Sequence, residues 1–253
     1  MSHPLHEPDP PGQPEDDPQI RQMVDEVNEI LRSTHEHLQK HYPPFREIYR
    51  NGYNWPEIDP LRWEICRCLF FGLFQAAMTL TNHFLENLLK TALITKTGIE
   101  KSESEPDQPR LNVIEHFKQN YGPGYAEYDR LYLGDIINRA FEAELITEEQ
   151  KDQLLILKDI FRNAWSHSNR KKMFGESFIP MSALHWGDEG IQVEAKENVE
   201  IADFIIGQGL FQVQFAEYHA PKYFKYVDGI ARQICVKLFG EDYKSELGSL
   251  ERD

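Results

Sequence analysis

A chain of 253 residues can bury roughly three quarters of the surface its unfolded state exposes, enough for a core without staples. Hydrophobic residues make up 40% of it and aromatics 12%, a globular rather than a disordered composition. The net charge of −15 excludes a protein that coats a DNA duplex through a broad positive surface, and no apolar run reaches the ~18 residues of a membrane span.

Six prolines in the first eighteen residues, mixed with Glu7, Asp9, Glu15, Asp16 and Asp17 and with no Lys or Arg, make 1–18 a disordered acidic tail. It carries no basic-then-apolar secretory pattern. Residues 19–245 read as a single domain, with 246–253 a second short tail. From Gln19, Ile20, Met23, Val24, Val27, Ile30, Leu31, Thr34 and Leu38 recur at three and four, which predicts a helix. Tyr42-Pro43-Pro44 is expected to end it, and Asn51 to Pro60 reads as a loop.

A second helix is expected from Leu61 through Thr95; being apolar on more than one face, it must be central. Residues 101–110 form a polar loop. Leu111–Tyr121 and Tyr125–Leu145 give two helical stretches split by Gly122-Pro123-Gly124. Thr147-Glu148-Glu149-Gln150 matches a capping box and opens a helix whose apolar stripe runs from Leu154 to Trp165. Phe178–Trp186 and Ile191–Ala195 flank Gly187-Asp188-Glu189-Gly190 and read as a β-hairpin. Val199–Phe215 is ambiguous between helix and strand, and Pro221–Phe239 is a final amphipathic helix. The fold class is therefore all-α, a bundle of five to six helices with a small hairpin insertion near 178–195.

One stretch runs against the overall acidity: Phe161-Arg162-Asn163-Ala164-Trp165-Ser166-His167-Ser168-Asn169-Arg170-Lys171-Lys172. Scission of RNA without a metal needs a base for the 2′-hydroxyl, cationic help for the phosphate and an acid for the leaving oxygen. Histidine suits the proton transfers because its ordinary pKa of ~6.5 lets both forms exist near neutrality. Arginine suits the phosphate because its fork is always charged and donates two parallel hydrogen bonds. Asn163 and His167 are i and i+4 on a helix, so the amide could orient the imidazole. Arg162 and His167 are five apart, about 140° around an ideal α-helix. They share a face only if the helix distorts or the arginine wraps round. A two-fold dimer would answer that problem and also supply the second proton-transfer group. Equally, Arg and His near a helix C-terminus suit the helix dipole and need no further role.

This Arg-Asn-x-x-x-His arrangement resembles the signature of the HEPN families, α-helical domains that often act as metal-independent ribonucleases. The earlier run Ala76 to Leu89 also resembles the HEPN helix that carries an acidic residue, so the resemblance covers about 61–240. It implies an endoribonuclease with no cofactor and no metal, working as a homodimer. Arg162, His167 and Asn163 would be catalytic, Arg170, Lys171 and Lys172 would bind substrate, and Glu86 would support the site by pairing with Arg162 or His167. It further implies settings such as toxin–antitoxin pairs or defence, with RNA as substrate and an antitoxin or other protein as partner. The alternatives are a HEPN-like interaction or nucleotide-binding module without chemistry, and a purely structural helical scaffold.

Other constellations carry less. His83-x-x-Glu86 offers two metal ligands on one helix face, without a clean second copy at Glu115-His116 or Glu142–Glu144. His35, His37 and His41 on the first helix read as a solvated face. His185 and His219 have no obvious partner. Cys66-x-Cys68 lacks a companion pair at finger spacing, and with an odd count of cysteines, free thiols in a reducing cytoplasm are expected. Tyr121, Tyr125, Tyr128, Tyr132, Tyr223, Phe224 and Tyr226 could stack bases, but at helical spacing they suit a core.

Overall fold

The computed structural model describes residues 18–104, 112–164, 178–187, 190–200 and 208–240. It is a mainly helical bundle. Pro18–Arg50 forms α1, a helix free of glycine with proline at its first position, where the missing N–H costs nothing. It does not stop at Pro43-Pro44, as the sequence suggested, but continues through both. The carbonyls that lose donors, those of Gln39 and Lys40, belong to exposed residues open to water. His41 and Phe45 on either side are buried and hold the helix down.

The expected long second helix is two helices. Asp59–Phe70 forms α2 and Phe74–Ser104 forms α3. Between them Gly72 adopts a φ of 72°. The Leu73 amide donates to the Cys68 carbonyl at 2.8 Å and the Gly72 amide to that of Leu69 at 3.3 Å. This is the Schellman pattern, in which a left-handed glycine satisfies carbonyls a helix end would leave open. A Cβ on Gly72 would also lie 2.5 Å from the His37 ring of α1. Helix α3 is central, as expected, and packs on α2, on α4 and α5, and on the last helix.

Val113–Tyr128 forms α4, capped by the Asn112 side chain accepting from the Glu115 amide at 2.9 Å. It runs straight through Gly122-Pro123-Gly124, where the sequence suggested a break. Gly124 is there for proximity: a Cβ would meet the Ile94 Cα at 3.0 Å. The chain breaks instead at 129–132, where Lys90 Nζ donates to the Asp129 carbonyl at 2.7 Å. Leu133–Glu142 forms α5, with Leu133, Ile136, Ile137 and Ala140 buried. Glu148–Leu157 forms α6, opened by the Thr147–Gln150 capping box. Lys158–Ala164 then continues in π-helical winding.

Phe178–Gly187 (β1) and Gly190–Glu200 (β2) pair antiparallel, with Trp186 opposite Ile191 and an irregularity between Pro180 and Ser182. Gln208–Phe239 forms α7, which begins well before Pro221 and contains it. The stretch read as ambiguous is thus helical from Gln208, because Ala216 and Ala220 bury against the bundle. One continuous apolar core joins α1–α3 and α5–α7 around Phe84, Leu85, Leu88 and Phe224, and α4 reaches it through the half-buried Tyr128. Among the described residues no helix is long and apolar enough to cross a membrane.

Candidate active site

Three elements converge where α6 passes into the π-helical segment. From α3, Asn82 and Glu86 project as an i, i+4 pair on one side of the helix. Asn82 is buried; its Nδ2 donates to the Phe161 carbonyl at 3.2 Å, and its Oδ1 accepts from the Tyr223 hydroxyl of α7 at 3.0 Å. The side-chain amide therefore ties the π segment to α7 through α3. π-Helical turns are rare, and they recur where a helix is re-aimed at a functional position.

Arg162 is half-buried on this segment, with Nη2 at 3.5 Å from Glu86 Oε2. The second oxygen of Glu86 pairs with Lys90 at 3.1 Å. Glu86 is thus a half-buried acid that bridges two cations, one of them Arg162. An arginine has five donors, and this pairing engages one nitrogen of the fork. Burial pushes the Tyr223 phenol well above its usual range, and the nearby Arg162 guanidinium pulls it part of the way back.

The neighbouring Phe161 is buried against Tyr223, with ring centroids 4.7 Å apart, and against His219 at 5.6 Å. Phe161, His219, Lys222, Tyr223 and Tyr226 line a cleft of about 230 Å³ that Leu157 and Gln153 close. Burial, then the charge of Lys222, holds the His219 imidazole below its ordinary pKa. His219 lies within α7 and has this aromatic company, although the sequence showed no partner for it. Tyr223, in turn, is core and hydrogen-bond anchor rather than an exposed stacking platform.

The expected site residues divide as follows. Arg162 and Glu86 are brought together. Asn163 lies on the π segment, and only its backbone is described. His167, Arg170, Lys171 and Lys172 lie outside the described residues. Asn82 was given no role in the sequence and Tyr223 was read only as core; the available signal was Asn82-x-x-x-Glu86, two polar residues at helical spacing among the apolar Phe84, Leu85, Leu88 and Leu89.

The competing metal and thiol constellations do not assemble. No group of three His, Cys, Asp or Glu able to hold a metal occurs among the described residues. His83 is exposed while Glu86 turns to Arg162 and Lys90. His37 and His41 do not form a solvated face: both set their rings edge-on to Phe74, at 5.3 and 5.1 Å. Burial pushes the Cys66 and Cys235 thiols up to about 12, which makes them poor nucleophiles at neutral pH. His116 shares hydrogen bonds with Asn120. Compared with known proteins, the chain matches no family model, no curated protein and no solved structure.

Proposed function

We propose that this chain is a metal-independent endoribonuclease of HEPN type that cleaves RNA at the interface of a two-fold dimer, with Arg162, Asn163 and His167 as its catalytic residues. The observation that carries the reading is the anchoring of Arg162 by Glu86 on a π-helical turn. A π-helix repeats its hydrogen bonds from i to i+5, the separation of Arg162 and His167 in the sequence. Winding of this kind, carried on past Ala164, would bring the two onto one face, which a regular α-helix would not.

In the proposed reaction His167 takes the proton of a ribose 2′-hydroxyl, whose oxygen attacks the adjacent phosphorus. Arg162 donates to the non-bridging oxygens as their charge rises. The bond to the 5′-oxygen breaks, and His167 of the second copy protonates it. Asn163 orients the imidazole, Arg170, Lys171 and Lys172 hold neighbouring phosphates, and Glu86 keeps Arg162 in place. The paired strands at 178–200 are an insertion in the helical domain, between this motif and α7. A toxin–antitoxin or defence setting in the cytoplasm, with a protein antitoxin as partner, suits such an activity.

A second reading, a HEPN-like module that binds a nucleotide without chemistry, is favoured by the cleft between the π-helical segment and α7, where Tyr226 and His219 suit a base and Lys222 a phosphate. Incubation of RNA with purified protein in excess chelator separates the two. Cleavage that is lost in both Arg162→Ala and His167→Ala, each still folded, is the expected result. Binding without cleavage by the wild type would favour the module, and cleavage that chelator abolishes would overturn the metal-independent mechanism.

A further inference from the structure

The apolar stripe of α1 splits into two parts of different fate. Ile20, Val24, Val27, Leu31, Thr34 and Leu38 follow one another at alternating steps of four and three, and the same steps lead on to His41 and Phe45. The last two are buried in the body of the molecule, His41 on Phe74 and Phe45 on Phe224. The earlier part runs on uncovered: Val24 is 49% exposed, Val27 48% and Leu31 60%, with Met23 and Ile30 exposed beside them. Alternating four-and-three spacing is the seam of a coiled coil and calls for another helix. A contiguous exposed patch of this kind marks an interaction surface rather than scattered surface apolars.

We propose that this seam pairs antiparallel with the α1 of a second copy of the chain. In that pairing Ile20 opposes Leu38, Val24 opposes Thr34 and Val27 opposes Leu31, each contact made twice about the two-fold axis. Charge favours a second copy. Asp25, Glu26, Glu29 and Glu36 all fall at outer positions of the repeat, so the acidity of the chain does not oppose the seam. The antiparallel sense keeps the bodies clear of the seam: each sits at the C-terminal end of α1, where His41 and Phe45 are buried, so opposed helices set the two at opposite ends. Opposed helix dipoles attract as well. Along the Ile30–His37 edge a groove of about 550 Å³, floored by Phe71 and Gly72 and walled on its outer side by Glu26 and Glu29, lies where the second copy's Met23 would fall.

This contact is separate from the motif and does not rest on the ribonuclease reading. Its test is the mass of the full chain without RNA, by sedimentation velocity. The substituted positions are exposed on the single chain, so Val27→Glu combined with Leu31→Glu leaves the body folded, read as a cooperative thermal transition. We expect it to halve the mass of the wild-type particle. On oxidation, Asn28→Cys, which would face its own copy across the axis, gives a covalent pair, whereas Arg21→Cys, which would face His35, does not. A monomeric wild type, a double variant of unchanged mass, or trapping through Arg21→Cys in place of Asn28→Cys would each overturn the proposal. Loss of cleavage with the mass behaviour intact would fall on the ribonuclease reading alone.

Discussion

Arg62 and Asp228 stand on the apolar faces of α2 and α7, with side chains only 3% and 9% exposed. Taking two charges out of water costs several kcal/mol each, so such a pair persists only with good geometry and further hydrogen bonds. Here Arg62 Nε donates to Asp228 Oδ1 at 2.5 Å and Nη1 to the Asn51 carbonyl at 2.5 Å, while the Tyr53 ring covers the guanidinium at 4.3 Å. The Tyr53 hydroxyl donates to the Asp228 carbonyl, and Asp59 accepts from the Tyr53 and Trp55 amides. The segment that reads as a loop is thereby folded into the core. Asp228→Asn leaves the arginine buried beside a neutral partner and should cost roughly 3–5 kcal/mol. Urea denaturation measures it, and a loss below about 1 kcal/mol would show that water screens the pair. The histidines set a second expectation. Burial, then Lys40 and His37, holds His41 below its ordinary value of 6.5, and His219 is depressed likewise. A depressed histidine binds fewer protons folded than unfolded. Its stabilisation is complete above pH ~6.5 and declines as pH falls below that value. The urea midpoint should therefore drop between about pH 7 and 5.5, and drop less in His41→Phe, which keeps the ring packing on Phe74.

At the level of elements, the glycines and prolines separate what a local pattern can say from what it cannot. Thr147-Glu148-Glu149-Gln150 was legible because a capping box is closed within four residues, and both of its hydrogen bonds are made, at 2.9 and 3.2 Å. Gly72 and Gly124 were not, because the same residue type serves opposite ends. At Gly72 the backbone is left-handed and α2 stops; at Gly124 the backbone is helical and the missing side chain lets α3 approach. Pro43, Pro44, Pro123 and Pro221 all lie inside helices, since tertiary burial on either side outweighs the local penalty of a lost hydrogen bond. Gly72→Ala should thus destabilise by about 1–3 kcal/mol through its backbone conformation, with a further loss from the contact with His37. Thermal unfolding reads the effect, and a shift indistinguishable from that of Gly122→Ala, where a Cβ meets nothing within 4 Å, would contradict it.

Across the whole molecule, an acidic body carries a short cationic stretch, and this limits how nucleic acid would be held. If RNA binds through Arg162 and two or three residues of 170–172, few phosphates are neutralised. Single strands lose affinity with a slope of about −0.7 in log salt per phosphate, so three or four phosphates should give roughly −2 to −3. Fluorescence anisotropy against salt concentration tests this, and a slope steeper than about −4 would mean a broad surface instead. The sequence by itself determined the helical class, the start of α6, the central place of α3 and the stripe of α1, because each rests on residues within a turn or two of one another. Only the tertiary structure decided the split of α2 from α3, the continuity of α4 and α7, the Asn82–Tyr223 anchor and the Arg62–Asp228 pair. Those last partners lie 141 and 166 residues apart. A hydrogen bond over such a separation leaves no periodic trace; it exists only once packing of the core has brought two distant backbones together.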